Sequence, residues 1–414
     1  MTATTATSRV WTPWRTVLAF GLVSLAADMV YEGMRAMAGP LLGDLGASAL
    51  TVGLVTGAGE GIALMLRLLT GAWADQAQNH WRLTVIGYAM TAVCVPLLAV
   101  TPFLGAAGLA TAAVLILLER TGKAVRSPAK SALLARMATQ TGRGKGFGVH
   151  KAMDQVGAFS GPLLLSGMAA LTGVLWPGFA VLAIPGALSL LLLAQLRRHA
   201  PIVEEGDSPP PSKGALAGLR TAIGTELPGA FHVFSLATAF MTAGLMTFGV
   251  ISFRLVDRGI ITAAVVPLVY AAAMAIEAVG ALVTGQLFDR WGGAVLLAVP
   301  ALVAGIPLLV FADTVWVVLA GIAVWGVATA IQDSTVKAYV ADLVPSSRRA
   351  TAYGVFAAVQ GIGALGGGAL AGALVEHHLS VLAATVAVMQ VVAAGLVIWT
   401  LVRTRRSAVP HAGG

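Results

Sequence analysis

Twelve stretches of this chain are apolar over roughly the 20 residues that a helix needs to cross the hydrocarbon core of a bilayer. They lie at about 16–39, 51–74, 83–102, 106–126, 146–170, 176–196, 228–253, 261–287, 292–312, 314–338, 348–375 and 380–402. Few other features leave so little choice of fold, and the expectation is an all-α membrane protein. The charge content agrees: 11% of the 414 residues are charged and 57% hydrophobic, whereas a soluble chain carries about twice that charge. Forty-nine glycines supply the small residues that let membrane helices approach closely. The single Cys94 sits in an apolar run and leaves no intrachain disulfide to form. Residues 1–15 are polar, with no small-residue cleavage site behind an apolar core, so no removable signal peptide is expected.

The basic residues sort to one side. Segments after odd-numbered spans are nearly free of Lys and Arg, apart from Arg254 and Arg258. The other set holds Arg82, Arg126, Lys130, Arg136, Arg143, Lys145, Arg197, Arg198, Lys213, Arg220, Arg290, Arg348 and Arg349, joined by Arg9, Arg15, Arg403, Arg405 and Arg406 near the ends. The net charge of +8 therefore reads as the positive-inside pattern and not as a nucleic-acid surface. It predicts an inner-membrane protein with both termini cytoplasmic and the Gly43–Ser48 turn outside. Glu119 to Gly167 then reads as two membrane helices joined by a basic cytoplasmic loop. The longest polar stretch, with Glu204, Glu205, Asp207 and Pro209-Pro210-Pro211, cannot bury a core and reads as a linker. The expected division is 1–196, a first six-helix bundle; 197–227, a cytoplasmic linker; and 228–414, a second six-helix bundle.

The halves repeat each other. Gly71 and Asp75, after the second span, recur 214 positions on as Gly285 and Asp289. Ala135, Arg143, Gly148, Gly157 and Gly161 recur 206 positions on as Ala341, Arg349, Gly354, Gly363 and Gly367. Parallel repeats of six spans point to two pseudo-symmetric bundles with a central site between them, a transporter architecture.

Ionisable residues inside spans are expensive and mark function more often than not. Span one holds Asp28, Glu32 and Arg35. Asp28 and Glu32, four apart, share a helix face, and two carboxylates that close in a low dielectric do not readily ionise together. That suits a proton carrier; the plainer alternative is a Glu32–Arg35 pair beside a passive Asp28. Span two holds Glu60 and Arg67 on one face, span four holds Arg120, and span five holds Asp154. Counted from the cytoplasmic ends, Arg67, Arg120 and Asp154 lie roughly 6–8 residues deep, about 10 Å, and are expected to form one layer facing the cavity. The alternative is a structural Arg120–Asp154 ion pair. In the second half Asp154 maps to Gln360, leaving Glu277 and Asp333. Coupling is therefore expected in the first half, with more of the apolar substrate surface in the second. His232 reads as structural, and Glu376-His377-His378 as a solvated outer turn with only a weak metal signal.

These motifs resemble the major facilitator superfamily over essentially the whole chain. Its loop motif, Gly-x-x-x-Asp-Arg-x-Gly-Arg-Arg, is matched by Gly71 and Asp75, with Gln76 in place of the first Arg, and more closely by Gly285, Asp289, Arg290 and Gly292. The resemblance implies a gating role for Gly71, Asp75, Gly285, Asp289 and Arg290, the aspartates meeting helix N-termini of the opposite half. The span-five motif of the family's proton antiporters, Gly-x8-Gly-x3-Gly-Pro-x2-Gly-Gly, is matched by Gly148, Gly157, Gly161 and Pro162, with Leu165 and Ser166 where the last glycines belong. A narrower resemblance is to a largely uncharacterised prokaryotic efflux-like subgroup. It rests on Asp28-Met29-Val30-Tyr31, on Arg120, Gly122, Lys123, Arg126 and Pro128, and on Arg143, Gly144, Phe147, Gly148, His150, Lys151 and Asp154.

No Cys/His metal spacing, phosphate loop or Gly-x-Ser-x-Gly elbow is present in the sequence. Neither a metal nor a cofactor is expected, and ATP-driven transport by this chain alone is disfavoured. The reading is a monomeric twelve-helix secondary transporter that exports a small, fairly apolar organic compound in exchange for protons. A proton-coupled uptake symporter shares the same fold and charges. A membrane-embedded enzyme or lipid-handling protein is a third reading, for which no nucleophile or metal cluster is legible.

Overall fold

The computed structural model describes residues 11–77, 80–138, 141, 143–200, 225–345 and 348–408, of which 68, 69, 71–77, 143, 144, 350 and 405–408 are described by backbone alone. Among the described residues the chain forms fifteen α-helices, short 3-10 turns and no strand. They are α1 (Pro13–Asp44), α2 (Ala49–Ala77), α3 (His80–Leu97), α4 (Gly108–Met137), α5 (Arg143–Thr172), α6 (Trp176–Val181), α7 (Ala183–His199), α8 (Gly229–Leu245), α9 (Phe248–Asp257), α10 (Val266–Trp291), α11 (Ala298–Val310), α12 (Val315–Asp333), α13 (Thr335–Leu343), α14 (Arg349–Leu374) and α15 (Leu379–Ala408). Three pairs, α6–α7, α8–α9 and α12–α13, each make one crossing, so fifteen helices give twelve crossings. Ten stretches pass a strict test of length and hydropathy for a membrane span. One of them, Val266–Val310, is two helices folded back at Gly292, where a φ of +58° ends α10. The remaining crossing, α5, is 30 residues long and interrupted by Gln155, Ser160 and Pro162.

Helix ends follow local chemistry. Thr12 caps α1, accepting from Arg15 N, and Pro13 opens it. Gly46, at φ +85°, closes the turn after α1 while Ala47 N returns to Leu42 O at 2.9 Å. The carboxylate of Glu376, from the second half, accepts from Ala49 N at 3.0 Å and caps α2. Glu376, in the turn before α15, thus serves as a cap for a helix of the first half. One expectation fails here. The basic stretch after residue 126 is not a loop, because α4 runs through Pro128 to Met137 and carries Lys130 inside the bundle.

Backbone contact between glycines sets the packing. A side chain at Gly157 or Gly161 of α5 would meet the backbone of Leu25 or Met29 on α1. A side chain at Gly363 or Gly367 of α14 would likewise meet the backbone of Ala239 or Ala243 on α8. The glycines are related by 206 positions and their partners by 214. The repeat read from the sequence is therefore a repeat of contacts. A second seam joins the halves: Gly53, Gly57 and Gly61 of α2 face Gly361, Ala364, Gly368 and Gly372 of α14, with no room for a side chain at Gly53 or Gly368 and little at Gly57 or Gly61. Gly39 of α1 meets Gly249 and Ser252 of α9 in the same way, and Ser166 donates to Ala264 O at 2.7 Å. These contacts lie toward the end of the molecule that carries Gly46.

The seventh crossing is broken between α8 and α9. Met246 has φ 59° and ψ 176°, a backbone region that belongs to glycine. Trp325 Nε1 donates to the freed Leu245 carbonyl at 3.0 Å, and Thr247 caps α9 while its hydroxyl meets that of Thr56 at 2.7 Å. Beyond the break, α9 packs on α1 and α2, with a smaller contact to α14.

Candidate functional site

A cavity of about 240 Å³ lies between the halves, beneath the glycine seam. Tyr31, Arg35, Glu60, Arg67 and Lys123 line it from the first half. Leu245, Phe248, Trp325, Asp333, Lys337 and Gln360 are among the residues facing them from the second. Arg35 and Glu60 lie about 15 Å from the Asp44 and Ala49 ends of their helices at 1.5 Å per residue, which is mid-membrane depth.

At its upper edge the cavity meets an ionic network shared by both halves. Arg35 Nε donates to Glu60 Oε1 at 3.0 Å, and Arg35 Nη1 donates to Tyr270 Oη at 3.2 Å. Tyr270 donates in turn to Glu32 Oε2 at 2.5 Å. Arg120 lies 3.6 Å from Glu60 and 3.7 Å from Glu119, and donates to Tyr31 Oη. The Tyr31 ring also carries Lys123 Nζ, 3.2 Å from its centroid.

A second cluster is enclosed among α1, α3, α4 and α5. Asp154 is 3.6 Å from both Lys130 Nζ and His150 Nε2, and Lys130 donates to Ser24 Oγ at 2.8 Å. Asp28 is 3.9 Å from Arg126, whose guanidinium sits over Tyr88 and donates to Thr91. Thr91 donates to the fully buried Glu119 at 3.0 Å, and Glu119 also touches Arg120. Tyr88, which reaches Ser24 at 3.5 Å and carries Arg126 on its ring, joins the two sets, so that contacts run from Asp154 through α4 to Tyr270 in the second half.

The family model for the Major Facilitator Superfamily matches residues 17–311 and 234–413. The chain belongs to this superfamily. An uncharacterized protein of Mycobacterium tuberculosis is 45% identical over 404 residues, covering 97% of this chain and 96% of the relative. An uncharacterized MFS-type transporter of Methanocaldococcus jannaschii is 28% identical over 373 residues, covering 87% and 88%. Among solved structures, a mutant of the nucleoside transporter NupG has a TM-score of 0.77 at 16% identity, covering 93% of this chain and 99% of that one. Membership fits the twelve crossings described above: the protein is a multi-pass membrane protein and a secondary transporter.

Asp28, Glu32, Glu60, Arg120 and Asp154 all join the network, whereas Arg67 lines the cavity with its Nε buried and without an acceptor. The single layer of Arg67, Arg120 and Asp154 is not formed. Because α4 extends to Met137, Arg120 lies about 25 Å from its end and Lys130 falls about 15 Å below it, level with Asp154. Asp154 therefore pairs with Lys130 and His150, not with Arg120 or Arg67. Glu32 and Arg35 do approach, at 3.7 Å, but each also reaches Tyr270. Gly148 has open space around its Cα, while Gly157 and Gly161 serve the contact of α5 with α1 and Pro162 follows them in the helix. Gly285 sits in α10, and Asp289 and Arg290 are exposed near its end. Gly71 and Asp75 lie in the last turns of α2, where side chains are outside the described set.

Sequence reasoning left Glu119, Tyr270 and the break at Met246 without a role and placed Lys130 in a basic loop. A signal for the basic residues existed: Arg120, Lys123, Arg126 and Lys130 recur at three- and four-residue steps, one stripe of a continuous helix. For Tyr270, a lone aromatic in an apolar run, no such signal is present.

Proposed function

We propose that this transporter exports a small organic compound in exchange for protons by alternating access, with the polar chain from Asp154 to Tyr270 as the coupling element. The observation that carries the reading is that Glu32 and Arg35 of α1 meet Tyr270 of α10, so a protonatable carboxylate takes part in a contact between the halves. Opening the Gly46 end must break that contact. A proton on Glu32 changes the acceptor that Tyr270 bonds to, and so changes the free energy of opening. The Gly46 end is taken as the outer face, which makes the described state inward-facing; the basic residues at the opposite end support this orientation. Export rests on the partial antiporter motif at Gly148, Gly157, Gly161 and Pro162. In proteoliposomes with an imposed pH gradient, substrate is expected to move against the proton flow. Movement with the protons would assign uptake instead, and no substrate-linked proton movement would remove the coupling.

The orientation has its own test. In intact cells carrying Cys94→Ser, a cysteine at Ala47 is expected to react with a membrane-impermeant maleimide, and a cysteine at Arg136 to be protected. Labelling at 136 and protection at 47 would reverse the assignment.

Asp154 separates coupling from structure. The Asp154→Asn change leaves Lys130 without its carboxylate, and abundance in the membrane is expected to fall several-fold, because an unpaired charge at such depth is costly. The Lys130→Gln, Asp154→Asn double variant is expected to regain abundance yet lose pH-driven transport. Full transport in the double variant would leave Asp154 a packing element only.

A further inference from the structure

Resting on the transporter reading, we infer that the substrate is a small organic anion, its acidic group bound between Arg67 and Lys123 and its apolar body lying against Leu245, Phe248 and Trp325. The cavity walls present four basic side chains, Arg35, Arg67, Lys123 and Lys337, against two acidic ones, Glu60 and Asp333. Two of the basic side chains are compensated: Arg35 bonds Glu60 at 3.0 Å, and Lys337 bonds Asp333 at 2.9 Å. Arg67 and Lys123 form no ion pair among the described residues. Arg67 Nε is buried without an acceptor, and the contact of Lys123 is the face of Tyr31.

Basic groups at this depth with no carboxylate in contact are costly to hold charged, and a ligand that brings an anionic group lowers that cost. A cationic ligand would find both cavity carboxylates already bonded to Arg35 and Lys337, with Arg67 and Lys123 beside them. The broken crossing adds to the same bias. Thr247 and Phe248, at the first turn of α9, line the cavity, so the positive end of a helix dipole opens on it. The facing wall is apolar and aromatic, with Trp325 fixed by its bond to Leu245 O. A volume of about 240 Å³, just under the ~300–1,000 Å³ usual for ligand pockets, restricts the body to one or two rings or a short chain.

The test uses the purified full chain and matched probes that share a body and differ in charge: 3-phenylpropionate, its amide and 3-phenylpropylamine, and indole-3-acetate, its amide and tryptamine. Affinity is read by thermal shift and by titration calorimetry. Within each triplet the acid is expected to bind tightest. Arg67→Gln or Lys123→Gln is expected to weaken the acid about ten- to a hundred-fold, the range for a hydrogen bond to a charged group, and to leave the amide unchanged. Arg67→Lys and Lys123→Arg, which keep the charge, are expected to keep the preference for the acid. Tighter binding of an amine or amide, acid binding unchanged in both Gln variants, or no binding by any probe would overturn the proposal. Transport of the same probes separates the two readings. Flux of amines alone would overturn the anion site and leave the transporter standing, whereas an acid that binds but is not carried would do the reverse.

Discussion

Arg35→Gln is expected to lower the stability of the protein by about 3 kcal/mol and to abolish transport. Arg35 compensates Glu60 at 3.0 Å and Glu32 at 3.7 Å and donates to Tyr270. Removing one partner of a buried ionic group leaves the others unpaired, and such losses run to about 3–5 kcal/mol. The side chain of Arg35 retains 26% exposure, which places the cost at the lower end. Melting of detergent-solubilised protein, followed by size-exclusion chromatography, reads the change directly. Glu60→Gln in the same background should restore part of the loss, since it removes a carboxylate left with Arg120 alone at 3.6 Å, yet transport should stay absent because the link to Tyr270 is gone. A melting temperature unchanged in the single variant would mean that water in the cavity already solvates these charges, and the network would then have no structural weight.

Gly53→Leu is expected to open the closed end. A side chain at Gly53 would meet the backbone of Gly368, and one at Gly368 the backbone of Gly53. Side-chain overpacking in a core costs about 1–3 kcal/mol when neighbours can repack. Here the neighbour is backbone, so the relief available is separation of α2 from α14. A shift of about 1.4 kcal/mol already changes the balance of two states tenfold. With Cys94 replaced by serine and a cysteine placed at Thr56, at the level of the seam between Gly53 and Gly57, labelling by an impermeant maleimide from the Gly46 side should rise at least about tenfold. Gly167→Leu, on the same scale of bulk but with nothing within 4 Å of its missing side chain, should leave labelling as it was. Equal labelling in both variants would mean that the seam does not hold the end closed.

The architecture was legible because bilayer thickness sets a length scale that the sequence must meet twelve times. The repeat was legible for a related reason: glycines that permit backbone contact cannot be replaced without moving a helix, so Gly157 and Gly161 have counterparts in Gly363 and Gly367. The site was legible only in part. Asp28, Glu32, Glu60, Arg120 and Asp154 stand out as charges in apolar runs, but their pairing depends on where α4 ends. The span read as ending near residue 126 continues as helix past Pro128 to Met137, and ten residues of rise move Lys130 to the partner's place assigned to Arg120. Tyr270 and Trp325 could not be chosen among the aromatics of the chain, because their roles arise from what the opposite wall brings near them.

The break at Met246 divides the seventh crossing between two allegiances. Residues Gly229–Leu245 pack with α14 and α15, while Phe248–Asp257 lie on α1 and α2. The covalent boundary of the second half and the boundary of the body that must swing are therefore different lines on the molecule. The residue at the crossing point holds a backbone conformation that costs a non-glycine residue about 1–3 kcal/mol. When the first half turns away from the second, α9 must either travel with it, twisting the chain at Met246, or let go of α1 and α2. In the first case the hinge behaves as a wound spring, because the twist that parts the glycine seam falls on a residue already held in a costly conformation.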